Sequence, residues 1–233
     1  MIERILEPEL MDTDIESQDY DAMDHKEVNR VFVDDLCAAI NLTPRTPEED
    51  EEDDTPYDVI DLGTGTALIP IELCERIPQA RIMACDAAVS MLEIANFRIE
   101  VACITHRVQL NHSDAKDLPF EEGMFHLVMS NSIVHHIPEP KIVLENAIRV
   151  TSEGGHLFFR DLMRPESKEQ LDQLVKTYTS EENENQQKMF AESLHAALTL
   201  DEIQDLVEEL GFARDTVTAT SDRHWTWVAQ KSS

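Results

Sequence analysis

The feature that most constrains the fold is an alternation of short apolar runs with longer segments of helical periodicity. Five runs have the length and composition of strands: Tyr57–Leu62, Arg81–Cys85, Val108–Asn111, Phe125–Ser130 and Gly155–Arg160. Helical patterns lie between them near Ala67–Arg76, Val89–Ala102 and Lys141–Val150. Strands that alternate with helices form parallel sheets with right-handed crossovers. The pattern therefore predicts an α/β fold with a doubly wound, mostly parallel sheet.

The last third of the chain breaks this alternation and then returns to it. A polar, helix-favouring stretch covers Glu166–Ala197, and we expect it to form a helical lid inserted after the fifth strand. Thr199 and Glu202 have the spacing of a capping box, and Gly211 suits the residue after a helix end. Two final strands, Arg214–Thr220 and His224–Gln230, bring the predicted sheet to seven strands.

The segment before the first strand divides into two parts. Apolar residues recur at helical spacing between Met23 and Ile40, which predicts an amphipathic helix in a cap over residues 1–42. Residues 43–56 contain three prolines and the acidic run Glu48–Asp54, whose mutual repulsion favours a solvated linker. The predicted domains are thus the cap, this linker, and a ligand-binding domain over residues 57–233 that includes the lid at 166–197.

Charge and cysteine usage exclude several classes of function. Nineteen basic and 48 acidic residues give a formal charge of −29, which repels phosphate backbones and anionic membrane surfaces. We therefore expect neither nucleic acid nor a membrane as partner. The four cysteines lack metal-ligand spacing, so no metal site is predicted, and the chain has no apolar run of spanning length. The cytoplasm is the expected location, and the oligomeric state stays open.

The strongest site signal is the turn that follows the first strand. Asp61 ends this strand, and Gly63-Thr64-Gly65 leads into a helix, where glycine allows the backbone to approach a ligand. A dinucleotide fingerprint needs a third glycine where Leu68 stands, so pyrophosphate is disfavoured. Asp61 would also repel a phosphate, but it suits an ammonium or sulfonium group. These features favour S-adenosylmethionine over a nicotinamide cofactor.

Two further acids fall at the ends of the next strands. Asp86, followed by Ala87, can accept hydrogen bonds from both hydroxyls of a ribose. A helix N-cap is the alternative role of Asp86, and the two roles can coexist. Asp114, followed by Ala115, can accept from the exocyclic amine of adenine.

Taken together, Asp61-x-Gly63-x-Gly65, Asp86, Asp114-Ala115-x-x-Leu118-Pro119-Phe120 and Ser130-Asn131 resemble the class I S-adenosylmethionine-dependent methyltransferases. Within that class the chain looks most like the small-molecule branch that includes the ubiquinone and menaquinone methyltransferases. The resemblance covers roughly Tyr57–Phe159 and implies a Rossmann-like methyltransferase fold. It implies that Asp61, Gly63 and Gly65 line the methionine end of the cofactor, Asp86 the ribose, and Asp114 with Ala115 the adenine. The chain departs from the family pattern at Ala67, where a third glycine is frequent, and at His126, where aspartate is usual.

The acceptor side is less clearly marked. Asn131, His135 and His136 follow the fourth strand, where the loop should face the cleft; we predict Asn131 at the cofactor and His136 at the substrate. His135 is the candidate general base, although paired histidines can also cap the next turn.

Three more residues complete the predicted site. Arg160 and Arg164 could clamp a substrate carboxylate, or could instead pair with the acidic surface. Tyr20 could close over the cofactor from the cap, or could simply pack.

These expectations combine into methyl transfer to a small-molecule acceptor by direct displacement, because a sulfonium is already an activated leaving group. Two alternatives remain. One is a non-catalytic protein that binds S-adenosylmethionine as a regulatory or partner subunit, and the other is a nicotinamide-dependent oxidoreductase.

Overall fold

The computed structural model describes residues 2–7, 26–44, 55–180 and 182–232. Seven strands form one sheet: β1 (Tyr57–Leu62), β2 (Ala80–Asp86), β3 (Val108–His112), β4 (Phe125–Asn131), β5 (Thr151–Leu162), β6 (Val217–Ala219) and β7 (His224–Gln230). The helices are α1 (Lys26–Ala39), α2 (Leu68–Arg76), α3 (Val89–Val101), α4 (Pro140–Val150), α5 (Lys168–Tyr178), α6 (Glu184–Ala196) and α7 (Leu200–Glu209). Short 3₁₀ turns cover Val134–His136 and Arg214–Thr216.

The strand order is β3-β2-β1-β4-β5-β7-β6. The strands β1 to β5 pair in parallel, and β7 runs antiparallel to both β5 and β6. The predicted doubly wound, mostly parallel seven-stranded fold is therefore confirmed. The order reverses between β1 and β4, which places a ligand cleft at the carboxyl ends of these central strands.

Hydrophobic cores lie on both faces of the sheet because side chains alternate along each strand. Val59 of β1 belongs to the core that α1, α2 and α3 cover, whereas the next residue, Ile60, belongs to the core that α4 and α7 cover. A third cluster joins α5 to α6 through Leu171, Leu174 and Leu194. The helical insertion thus has its own small core.

Local sequence signals explain where several helices begin. Thr199 and Glu202 form the predicted capping box, since the Thr199 hydroxyl accepts from the Glu202 N–H at 3.2 Å. Asn183 and Gln186 form a second capping box at the start of α6. Pro140 occupies the first position of α4, where its missing N–H costs nothing.

Three predicted elements differ from the structure. Residues 214–216 form a 3₁₀ turn, and the strand that follows is only Val217–Ala219. β5 runs from Thr151 to Leu162 and so extends past the predicted run at both ends; beyond Arg160, Asp161 and Leu162 pair with Trp225 and His224 of β7. Ala67 precedes α2 in a left-handed conformation with φ 61°, where glycine would be less strained.

The N-terminal region is described only in part. The helix predicted within Met23–Ile40 is observed as α1, whereas Tyr20 and the Glu48–Asp54 run lie outside the described residues. The predicted division at residues 42 and 56 stays a prediction. Within the described ranges, no helix is long and apolar enough to cross a membrane.

Candidate functional site

A cavity of about 490 Å³ opens at the carboxyl ends of the central strands. Most of the residues predicted for the cofactor lie on its wall: Asp61, Gly63, Thr64, Gly65, Asp86, Ala87, Asp114, Ala115 and Asn131. His135 and His136 also line it. The sheet topology therefore brings together residues that are distant in the sequence, since Asp61 and His136 are separated by 75 positions.

The turn after β1 is shaped by two glycines with positive φ, Gly63 at 71° and Gly65 at 55°. A Cβ atom on Gly63 would lie 1.9 Å from the Ile133 Cγ2 atom, so this position excludes any side chain. The backbone of the turn is therefore held close against the loop that follows β4. The turn is also tied to β2, since the Gly63 and Thr64 N–H groups both donate to the Cys85 carbonyl at 2.9 Å.

Asp61 is a buried acid at the end of β1. Burial raises its pKa to about 7; the nearby Thr64 hydroxyl opposes this rise, and the Asp86 charge adds to it. The Asp61 Oδ2 atom is buried and lacks a hydrogen-bond partner among the described residues. Buried polar atoms of this kind fit a ligand that donates hydrogen bonds and carries positive charge, as the amino-acid end of S-adenosylmethionine does.

Asp86 connects β2 to the glycine turn. Its Oδ2 atom accepts from the Gly65 N–H at 2.8 Å, and its Oδ1 atom accepts from the Ala88 N–H at 2.8 Å. Ala88 is the N-cap of α3 and has no side-chain cap bond, so Asp86 braces the turn before this helix and is not the N-cap that the sequence offered as its alternative role. The ribose assignment of Asp86 stays a prediction.

Asp114 lies in the turn after β3 and has a more exposed environment. Its Oδ1 atom accepts from the Lys116 N–H at 2.8 Å, and the Lys116 ammonium lies 3.3 Å from Oδ2. This pairing shapes the turn beside Ala115. The adenine assignment stays a prediction.

His135 is buried in a different electrostatic setting from the one predicted for a base. Its Nδ1 atom lies 2.5 Å from Asp161 Oδ1, and its Nε2 atom lies 3.4 Å from Glu7 Oε1. Burial by itself lowers the His135 pKa, but the Asp161 and Glu7 charges outweigh it and raise the pKa. Both ring nitrogens therefore face a carboxylate, whereas a base needs a ring nitrogen that faces the substrate. The base role itself stays a prediction.

Asp161 and Glu7 were not anticipated as site residues. Asp161 is fully buried, and the His135 charge holds its pKa below the usual range despite the opposing effect of burial. Glu7 reaches the site from the N-terminal segment, and burial raises its pKa. A charged residue inside the apolar β5 run was the available signal for Asp161, because buried charges need partners. Nothing near Glu7 in the sequence indicates its position.

Arg160 and Arg164 are not brought to the cavity. Arg160 donates to Asp35 Oδ2 at 2.7 Å and to the Thr226 hydroxyl at 2.9 Å. Arg164 donates to Glu202 Oε1 at 2.5 Å and to the Ala197 carbonyl. These contacts fit the alternative in which the guanidinium groups pair with acids of the fold.

His126 has a structural explanation that the sequence lacked. Its Nδ1 atom accepts from the Asp58 N–H at 3.0 Å, and its ring stacks on Tyr57 at 5.4 Å. His126 therefore fastens the beginning of β1 to β4. An aspartate at this position would be shorter and could not stack.

The covering wall of the cavity comes from α1 and from the α5–α6 insertion. Asn29 of α1 lines it on one side. The insertion contributes Gln186, Met189 and Phe190, and the first residue of β7 contributes the His224 side chain. Burial lowers the His224 pKa to about 4, and the Arg223 charge reinforces this, so His224 is neutral near pH 7. None of these covering residues was predicted from the sequence.

The fold and the cavity define a class I S-adenosylmethionine-dependent methyltransferase. The chain belongs to the methyltransferase domain family, whose pattern matches residues 53–230. A demethylmenaquinone methyltransferase of Porphyromonas gingivalis is 30% identical over 113 residues, which are 48% of this chain and 46% of that protein. A similar enzyme of Listeria welshimeri is 31% identical over 108 residues, 46% of this chain and 45% of that one. The matches therefore span about half the length of these curated relatives.

Solved structures share the fold at low sequence identity. A putative S-adenosylmethionine-dependent methyltransferase from Methanococcus maripaludis has a TM-score of 0.68 at 15% identity, with 98% of each chain covered. The plantazolicin methyltransferase BpumL, solved with a substrate analogue and S-adenosylhomocysteine, has a TM-score of 0.66 at 14% identity, with 94% of this chain and 91% of that one covered. Likeness at this identity concerns the fold alone.

Proposed function

We propose that this chain transfers the methyl group of S-adenosylmethionine to a small, largely apolar acceptor. The observation that carries the proposal is the buried, unpartnered Asp61 Oδ2 atom beside the glycine turn, with Asp86 one strand away. The methionine end would lie against Asp61, Gly63, Thr64 and Gly65, and the ribose against Asp86 and Ala87. The adenine would lie near Asp114 and Ala115, with Asn131 on the side of the methyl group.

In such a reaction the protein aligns the acceptor with the methyl group and encloses both reactants. The sulfonium carries its own leaving group, so an acceptor held in line with the methyl–sulfur bond needs no covalent intermediate with the protein. The residues of α1 and of the α5–α6 insertion that line the cavity would shield a bound acceptor from water, which strengthens electrostatic contacts there. His135, the predicted base, is paired with two carboxylates in this arrangement and holds its neighbours in place.

Two features support a small and apolar acceptor. Met189, Phe190 and Ile137 give the acceptor side of the cavity an apolar wall, and its volume of about 490 Å³ is typical of small-ligand sites. The curated relatives named above are demethylmenaquinone methyltransferases, which act on an aromatic quinone precursor by their names. The −29 charge argues against nucleic acid and anionic membranes as partners.

We also propose a cytoplasmic location. All four cysteines are free thiols in the structure, namely Cys37, Cys74, Cys85 and Cys103. Proteins of oxidising compartments tend to pair their cysteines, so this pattern favours a reducing compartment.

A competition assay tests the proposed function. The purified chain is incubated with S-adenosylmethionine labelled in its methyl group and with a panel of demethylated quinols, phenols and RNA. We expect label in an apolar aromatic product and none in RNA. Labelling of RNA in preference to every small molecule would contradict the acceptor assignment. Cofactor binding without any labelled product would favour the non-catalytic alternative.

A further inference from the structure

The 3₁₀ turn after β4 and the N-terminal segment together bring close three side chains with potential metal-ligand atoms, which methyl transfer does not require. Glu7, His135 and His136 each offer one ligand atom, and these atoms all lie within 4.8 Å of one another. The Glu7 Oε1 atom is 3.4 Å from His135 Nε2 and 3.1 Å from His136 Nδ1. We propose that this cluster binds one divalent transition-metal ion, with Zn²⁺ and Fe²⁺ as the best matches.

The spacing of the ligand atoms fits a coordination polyhedron. Imidazole nitrogens and carboxylate oxygens bind Zn²⁺ at about 2.0–2.2 Å, so neighbouring ligand atoms lie about 3.0 Å apart in an octahedron and about 3.4 Å apart in a tetrahedron. The two distances from Glu7 fall within this interval. Two imidazoles and one carboxylate also form the donor set that suits such ions, and they leave further positions open.

The surroundings of His135 support a ligand role. Its Nδ1 atom faces Asp161 Oδ1 at 2.5 Å, which leaves Nε2 directed at the cluster. Histidines that bind metals usually donate their second ring N–H to a carboxylate, which fixes the tautomer and the ring orientation. His135 and Asp161 are 3% and 1% exposed in their side chains, so this pair is rigidly enclosed.

Glu7 is held in position by contacts of its own segment. The Ser193 hydroxyl donates to Glu7 Oε2 at 3.3 Å, which leaves Oε1 toward the two histidines. Arg4 donates to the carbonyls of Ala196 and Ile137, and the Ile5 N–H donates to the His195 carbonyl at 3.1 Å. The N-terminal segment is therefore fastened to the end of α6 and to the loop after β4, with its carboxylate at the cluster.

The location suggests what a bound ion would do. His135 and His136 line the same cavity as the glycine turn, so open coordination positions face the acceptor space. A bound ion would take an acceptor hydroxyl as ligand and lower the pKa of that hydroxyl, so that its proton passes to solvent. The resulting oxygen would attack the methyl carbon, and the carbon–sulfur electron pair would stay on sulfur as a thioether. This role rests on the proposed methyl transfer, whereas the metal site itself does not.

Titration of the full chain with metal tests the site. Tag-free protein is treated with a chelator, dialysed and titrated with CoCl₂, followed by visible absorption, and with ZnCl₂, followed by calorimetry. We expect one equivalent of metal to bind per chain. The cobalt complex should show the ligand-field absorption bands of a site with nitrogen and oxygen ligands. Glu7→Gln, which keeps the size of the side chain, and His136→Ala should each weaken binding beyond the roughly 10–100-fold typical of an outer-shell change such as Asp161→Asn.

The exposed His106 supplies the matched control, and His106→Ala should bind metal as the unaltered chain does. Melting curves establish that each variant is folded. Absence of saturable binding, or equal binding by Glu7→Gln, His136→Ala and the unaltered chain, would overturn the site. Binding of S-adenosylhomocysteine to the chelated protein is measured in parallel: its failure would count against the proposed function and leave the metal result standing.

Discussion

His135 and Asp161 form a buried pair in which the imidazole Nδ1 atom lies 2.5 Å from the carboxylate Oδ1 atom. The other carboxylate oxygen accepts from the Val134 N–H at 2.6 Å, and the Leu162 N–H donates to Oδ1 at 2.6 Å. One carboxylate thus joins the loop after β4 to the end of β5. The acceptor side of the cavity depends on this connection.

Replacement of Asp161 by alanine should lower the free energy of unfolding by about 3–5 kcal/mol, because it breaks the buried pair with His135 and leaves the Val134 and Leu162 N–H groups without their acceptor. Urea denaturation measures the loss. The exposed Asp215 provides a control, and Asp215→Ala should change stability by no more than about 0.5 kcal/mol. Similar small effects of both substitutions would show that the buried pair does not organise the loop.

The raised pKa of Asp61 predicts a pH dependence of stability in the ligand-free protein. The pKa rises from 3.8 to about 7 on folding, so the folded state holds the proton more tightly and stability falls as the pH rises between these values. The full cost of the buried carboxylate is present above pH 7. Asp61→Asn should therefore be more stable than the unaltered chain at pH 8, with the difference vanishing near pH 4.

The same carboxylate predicts how cofactor affinity depends on pH. If its charged form binds the ammonium of the cofactor, affinity for S-adenosylhomocysteine should fall below pH 7 by at most about tenfold per pH unit. Asp61→Asn should bind weakly with little pH dependence. Calorimetry between pH 5.5 and 8 makes the comparison, and an equal slope for both proteins would remove Asp61 from the cofactor site.

Sequence patterns predicted the sheet well because local periodicity and parallel topology constrain each other. β1 and β7 begin and end at the predicted residues, and the capping box at Thr199 marks the start of α7 correctly. The carboxyl ends of parallel strands meet at one edge, so the sequence alone was enough to place Asp61 and Asp86 together.

The acceptor side was harder to predict because its residues meet only through tertiary packing. Glu7 and His135 are separated by 128 positions and share no local pattern. The basic character of Arg160 suggested a substrate clamp, but its guanidinium donates hydrogen bonds to Asp35 and Thr226 instead. Pairing of this kind depends on which helix covers which face of the sheet. The hydrophobic periodicity of the sequence does not predict that arrangement.

The close contact at Gly63 predicts a specific steric effect. Gly63→Ala should abolish cofactor binding, because its Cβ atom would lie 1.9 Å from Ile133 Cγ2. The clash should cost about 1–3 kcal/mol beyond the backbone strain. Gly154 has nearly the same φ, 72°, and a Cβ atom there would have no neighbour within 4 Å, so Gly154→Ala isolates the effect of strain. Equal melting temperatures for the two variants would contradict the steric account.

The charge of the acidic run Glu48–Asp54 predicts that this segment is not needed for cofactor binding or catalysis. Deletion of Glu48–Asp54 should leave cofactor affinity and turnover unchanged, since mutual repulsion opposes a packed role for this segment. Affinity and rate are compared with those of the unaltered chain at matched ionic strength. A large loss of either would assign these residues to the folded domain.

Calorimetric titration of S-adenosylmethionine into the Asp86→Ala variant tests the central claim most directly. Loss of a charged acceptor for the ribose should weaken binding by roughly 1.5–3 kcal/mol, on the order of 10- to 100-fold. The exposed Glu75 is the control, and Glu75→Ala should bind as the unaltered chain does. Melting curves confirm that both variants are folded. Unchanged affinity of Asp86→Ala would contradict the placement of the cofactor at the carboxyl edge of this sheet.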